Sequence, residues 1–314
     1  MRRLWVALLC VALPGCAGAS APLSSSAALG QQGLARATYP QSRDTSPVVY
    51  VAAPAAQKVL IVSQAGSHQK AIGELKGFTA PTSLAVDSSG NLYVSDLVAT
   101  GGQIDVFAPG AQSPTRTLTG VVAPDAIAVD SKADVYSNCL DNSGCTENAV
   151  YVFAAGSSTP TATLVDTNLT EIANVAIDGA GDVFVDGDES GFPIRANEID
   201  EFPAGSTSAV VVTKSTIAPT VLAFDAQQNL IVGVSNGDLL QVYAPPYTKP
   251  NAKAYRTNCD PTALAFDSAD SALWYACAGR AVQLSYPGLK KVEATSDLSR
   301  FGLSGLATDP AAPL

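Results

Sequence analysis

Residues 80 to 96 read APTSLAVDSSGNLYVSD, and residues 123 to 130 begin the same phrase again, APDAIAVD. Its kernel is an aliphatic residue, Ala, a larger residue and Asp. It recurs as LAVD (84–87), IAVD (127–130), VAID (175–178), LAFD (222–225), LAFD (264–267) and LATD (306–309). The six aspartates, Asp87, Asp130, Asp178, Asp225, Asp267 and Asp309, are spaced 43, 48, 47, 42 and 42 residues apart. Outward from the kernel, a second strand-like run follows: NLYVSD, DVYSNC, DVFVDG, NLIVGV and ALWYAC. A third ends in a turn (IDVFAPG, VYVFAAG, EIDEFPAG, LLQVYAPP, VQLSYPG), and a fourth such as TRTLTG or TATLV closes the unit.

Four short strands in a unit of 40 to 50 residues is the period of a β-propeller blade. The sixth unit stops after its first strand, and the missing strands stand at the other end of the domain. VVYVAA (48–53) matches NLYVSD, and KVLIVSQAG (58–66) matches QIDVFAPG. These matches predict an all-β, six-bladed β-propeller over residues 48–314 with four-stranded blades. Its last blade is closed by one C-terminal and three N-terminal strands, so the ring is sealed.

Strand alternation assigns the residues of the phrase. Leu84 and Val86 point to one face while Ser83 and Ala85 point to the other. A small residue at positions 85, 128, 176, 223, 265 and 307 suits the narrow side of a wedge near the axis. DSSGN and DGAGD read as hairpin turns, with Gly90 or Gly181 supplying positive φ and Asp accepting from backbone N–H groups ahead of it. An aspartate present in every unit is therefore read as architecture.

Composition bounds the function. Hydrophobic residues are 47% of the chain, charged residues 15%, and the formal net charge is −10. That supports a sizeable core and excludes a basic footprint for nucleic acid. Residues 1–15 read as a signal peptide, with Arg2 and Arg3 before an apolar stretch from Leu4 to Leu13 that is too short to span a bilayer permanently. Leu13-Pro14-Gly15-Cys16 resembles the lipobox of bacterial lipoproteins, which implies lipidation at Cys16. The alternative is ordinary secretion with cleavage in the following Ala/Gly/Ser run. Both export the chain, anchored in the bacterial cell envelope or released as a secreted or periplasmic protein. Any membrane association would run through the lipid alone. Residues 16–47, rich in Ala, Ser, Gln and Pro, read as a flexible tether.

The phrase PTSLAVDSSGNLYVSD and its echoes through Asp309 resemble NHL-type repeats and the related gluconolactonase (senescence-marker) propellers. This resemblance implies a binding platform or a divalent-metal-dependent lactone or ester hydrolase. It also implies that loops between strands two and three, and from strand four into the next blade, share one face. The longest insertions, 137–149 and 186–198, fall there, and such a face is where binding is expected. Its acidic candidates are Asp141, Glu147, Asp186, Asp188, Glu189 and Asp260. By likeness to the hydrolases, Asp125, Glu171 and Asn174 are the oxygen types that would hold Ca2+ or Zn2+.

Four cysteines follow the signal. Cys139 and Cys145 bracket one loop, and Cys259 and Cys277 are brought together by antiparallel pairing. Two disulfides suit an exported protein, with a shared zinc site as the alternative. His68 is the single histidine, and no GxSxG, HExxH or glycine-rich phosphate loop occurs. Two readings remain: a monomeric binding propeller for a protein, peptide or glycan on the loop face, or the metal-dependent hydrolase.

Overall fold

The computed structural model describes residues 47–64, 71–98, 101–139, 144–188, 197–215, 218–235, 237–250, 254–291, 298 and 302–309. The signal, the tether, Cys16, His68, Asp141 and Glu189 lie outside them.

Among the described residues the strands form six four-stranded antiparallel sheets. Blade 1 runs Pro81–Val86, Leu92–Val98, Gly101–Phe107 and Arg116–Leu118. Blade 2 runs Pro124–Val129, Val135–Cys139, Ala149–Phe153 and Ala162–Val165. Blade 3 runs Asn174–Ile177, Val183–Asp188, Asn197–Phe202 and Val210–Ser215. Blade 4 runs Pro219–Phe224, Leu230–Val234, Leu239–Tyr243 and Ala254–Arg256. Blade 5 runs Ala263–Phe266, Ala272–Cys277, Arg280–Ser285 and Lys290–Lys291.

Blade 6 takes Gly305–Asp309 from the C-terminal end and Val48–Ala53, Lys58–Ser63 and Ala71–Lys76 from the N-terminal end. Leu306 stands opposite Val51 and Asp309 opposite Val48 in its closing ladder. Each blade's first strand touches the first strand of the next blade, and blade 6 touches blade 1. The ring is therefore sealed as the complementary truncation predicted.

The alternation within each first strand decides what lies between blades. Ile127 and Val129 of blade 2 pack in one apolar cluster with Tyr93, Ile104 and Leu118 of blade 1. Leu222 and Phe224 of blade 4 pack likewise on Phe184 and Ile199 of blade 3. The bulky residues thus face the preceding blade. The small residues face the following one: Ala85 packs against the cluster holding Ile127 and Val129, and Ala223 against the cluster holding Leu264 and Phe266. A bulky side chain meets a small one across these joints, which keeps the first strands close around the axis.

The repeated aspartates cap their turns. Asp87 Oδ1 accepts from the backbone N–H groups of Ser89 and Asn91, both at 2.9 Å. Asp130 Oδ1 accepts from Lys132 and Asp134 N–H at 2.9 and 2.8 Å, and Asp178 Oδ1 from Ala180 and Asp182 at 2.9 Å each. Asp225 and Asp267 bind the N–H groups of Asn229 and Ser271. Gly90 and Gly181 carry φ of 80° and 88° in these turns. In the corresponding turns of blades 2 and 4, Ala133 and Gln228 adopt 65° and 62° without glycine's freedom.

Candidate functional site

The two ends of the propeller are built differently. On the end that carries the Asp turns, Ala155 N–H donates to Asp134 Oδ1 at 2.6 Å and Ala204 N–H to Asp182 Oδ1 at 2.7 Å. These bonds tie the turns between strands one and two to those between strands three and four. At the opposite end, Ile172 N–H donates to Glu147 O and Asp166 N–H to Asn148 O, each at 2.9 Å. Those bonds stitch the loop after strand two of blade 2 to the segment entering blade 3. The two loop types therefore share one face here, as the resemblance implied. Both disulfides brace that face, Cys139–Cys145 in blade 2 and Cys259–Cys277 in blade 5, with Cα separations of 6.5 and 5.8 Å.

Several polar groups at the loop end hold blade to blade. Pro81, Pro124 and Pro219 open first strands whose register slips just after them. Proline offers no N–H to the ladder, so the strand bulges and its next residues can turn toward the neighbouring blade. Thr220 Oγ1 donates to Pro261 O at 2.5 Å, and Ser304 Oγ to Thr82 O at 2.8 Å. Buried Asn138 accepts from Ala126 N–H at 2.7 Å and donates to Ile172 O at 2.6 Å. Asp96, also buried, accepts from Thr79 and Ala80 N–H. Thr220, Ser304 and Asn138 are thereby committed to joints between blades, and Asp96 to the segment that enters its own blade.

The residues singled out for metal binding are distributed as follows. Asp125 lies half-buried in the first strand of blade 2, where loss of solvent raises its carboxyl above the usual range. Glu171 sits in the segment entering blade 3, with its carbonyl against Gly187: a Cβ added there would come within 1.9 Å of Glu171 O. Asn174 Nδ2 donates to Asp186 Oδ2 at 3.3 Å. Among the described residues, no three acidic, histidine or cysteine side chains stand in ligating geometry around one point.

Asp186 and Asp188 lie in the second strand of blade 3, ahead of the loop that follows it. Asp186 is 1% exposed, and burial pushes its carboxyl up to about 7 against the opposing bond from Asn174. Asp188 is half-buried and its carbonyl accepts from Thr170 N–H at 2.9 Å. Asp260 is exposed between Cys259 and Pro261, and Glu147 is half-buried.

Three further acids were not singled out from the sequence. Asp166, Glu198 and Asp200 are each 0% exposed. One asparagine spans two of them: Asn168 N–H donates to Asp166 Oδ1 at 2.7 Å, while its Nδ2 donates to Asp200 Oδ2 at 2.8 Å. Lys214 Nζ stands 3.5 Å from Glu198 Oε2. Burial first, then the neighbouring Asp166 and Glu198 carboxylates, push Asp200 up to about 7 against the bond from Asn168. The available signal was EIDEF (198–202), which puts Glu198 and Asp200 at the positions where the third strand of blade 2, AVYVF (149–153), has Ala149 and Tyr151.

A shallow hollow of about 400 Å³ on the turn face is lined by Asp87, Asn91, Tyr93, Thr115 and Arg116 among others. Its carboxylate is already engaged by Ser89 and Asn91 N–H, Asn91 Nδ2 and Tyr93 Oη. The hollow is thus part of a turn cap.

No protein-family model and no curated protein matches the chain. Among solved structures it is similar to the one titled "Crystal structure of Nidogen/Laminin Complex", at 15% identity and a TM-score of 0.68. The match covers 83% of this chain and 98% of that one. The class established by ladder, closure and likeness is the six-bladed β-propeller. At this identity the likeness shows the fold alone.

Proposed function

We propose that this is an exported binding propeller, held at the cell envelope through Cys16, whose loop face receives a protein partner. The observation that carries the reading is the braced loop end. Two consecutive blades carry the longest insertions between strands two and three, and disulfides stiffen that end in blades 2 and 5. Pre-organised loops on a rigid ring reduce the ordering cost of association. The acidic residues Asp188 and Asp260 there favour a partner presenting basic groups. The solved structure that the chain resembles is titled as a complex of two proteins, which supports a protein over a small molecule. Two disulfides suit an oxidising compartment, and among the described residues no helix is long and apolar enough to cross a membrane.

The test is cross-linking and recovery of the protein from intact envelopes, with each variant checked for an unchanged melt. Asp188→Lys combined with Asp260→Lys is expected to lose a specific partner that a turn-face variant, Ser89→Lys, retains. An identical partner set for both variants, or equal loss in both, would overturn the assignment of the loop face.

A further inference from the structure

The joint between blades 2 and 3 buries two carboxylate oxygens, one each on Asp166 and Asp200, to which no protein group donates. A comparison inside the molecule shows why. In blade 1, Asp105 occupies the position that Asp200 occupies in blade 3: Asp105 pairs with Val94, and Asp200 with Val185. Asp105 is 4% exposed, and its oxygens accept from Gln103 Nε2 at 3.0 and 3.1 Å and from Thr117 Oγ1 at 2.8 Å. Both donors are replaced in blade 3. Glu198 stands where blade 1 has Gln103, and Val211 stands opposite Asp200 where Thr117 stands opposite Asp105.

Asp166 then adds another carboxylate, bridged to Asp200 by Asn168. Asp166 Oδ2 and Asp200 Oδ1 are buried and have no hydrogen-bond partner. Leaving such oxygens without a counterpart is costly, and more so for ionised ones. Glu198 has the Lys214 ammonium beside it, whereas among the described residues no lysine or arginine pairs with Asp166 or Asp200, which leaves those two carboxylates to be balanced. A single shared proton would cancel one of them, whereas a divalent cation cancels both.

We propose that Asp166 and Asp200, with Glu198 beside them, bind a hard divalent cation of the Ca2+ class in the joint between blades 2 and 3. The donor set is oxygen throughout, with Asp166 and Asp200 carboxylates as direct ligands and Asn168 fixing their separation. Hard cations prefer such donors and complete their shell with carbonyls or water. The site needs only two carboxylates in direct contact, consistent with no acidic trio standing in ligating geometry. The ion would tie the segment 166–173, which leads from blade 2 into blade 3, to strand three of blade 3. This site is separate from Asp125, Glu171 and Asn174.

The experiment is a thermal melt of the purified, chelator-stripped protein at pH 8, with and without added CaCl2, together with calorimetric titration of CaCl2. Saturating Ca2+ is expected to raise the Tm by about 5 °C. Asp166→Asn and Asp200→Asn should each abolish the rise, and Glu198→Gln should weaken Ca2+ binding about tenfold. Asp125→Asn and Asp186→Asn should retain it. No rise in the parent protein, a rise surviving both Asp166→Asn and Asp200→Asn, or a rise lost equally in Asp125→Asn would each overturn the proposal. If Asp200→Asn fails to fold, Asp166→Asn and the Glu198→Gln titration decide.

Discussion

Blades 1 and 3 share one ladder pattern and one buried aspartate, yet they satisfy it in opposite ways. In blade 1, Asp105 is enclosed by a glutamine amide and a threonine hydroxyl, so burial of the acid is compensated within the sheet. In blade 3 the same position, Asp200, meets Glu198 and Val211 and depends on Asn168 from the segment that enters the blade. The lesson is that repetition marks what the ring needs, and departure from repetition marks what this protein adds. The turn aspartates belong to the first kind. The buried acids of the joint between blades 2 and 3 belong to the second.

The sharpest way to break this comparison is to impose one blade's chemistry on the other. Gln103→Glu would set a third carboxylate beside Asp105 and Asp96 and remove the amide that donates to Asp105. It is expected to cost about 3 kcal/mol, read from denaturant unfolding. A loss under about 0.5 kcal/mol would mean that the buried site tolerates unpaired charge, and the contrast would fail.

Ala223→Leu tests the small-against-bulky joints that both blades share. It should overpack the contact with Leu264 and Phe266 and cost about 1–3 kcal/mol. An unchanged melt would count against the packing described between blades 4 and 5.

The reverse exchange, Glu198→Gln, gives blade 3 the donor that blade 1 has. In metal-free protein it should raise stability by about 1 kcal/mol, because the charge beside Asp200 is replaced by an amide that can donate to it. The half-exposed Lys214 that it releases contributes little in solvent. Destabilisation by Glu198→Gln in the absence of Ca2+ would show the ion pair to dominate.

The smallest effect is expected at the turns, where Ala133→Gly relieves a positive φ in blade 2. A gain of about 0.5 kcal/mol in the melt would match the cap described for Asp130. A loss would show that the alanine's reduced freedom in the unfolded chain outweighs its strain.

The fold was legible in the sequence because a blade is a local unit whose period survives divergence. Six kernels, a truncated sixth unit and an N-terminal complement were enough to place the closure of Gly305–Asp309 on Val48–Ala53. Both disulfides were legible for the same reason, since each joins residues of one loop or one blade and its entry. The oxygens at the loop end were harder to read. Thr220 and Ser304 look free along the chain, and only the neighbouring blade's carbonyls show that they are spent on the joint. Glu198 and Asp200 were missed because a strand's period of two does not say which face is covered. In NEIDEF the acids fall on the face packed against blade 2, and that covering comes from residues over thirty positions away, such as Asp166.

The pH dependence of stability in metal-free protein tests the central contrast most directly. Asp186 and Asp200 are raised to about 7 in the folded state, far above an ordinary unfolded carboxyl. Between those values the folded state holds more protons than the unfolded one, so stability falls as pH rises toward and through 7. The Tm measured in chelator from pH 5.5 to pH 8 should therefore decline beyond the contribution of the other groups. Asp200→Asn should flatten that decline in part. A profile that is flat in the parent protein, or equally steep in Asp200→Asn, would contradict the account of an unsatisfied acidic joint in blade 3.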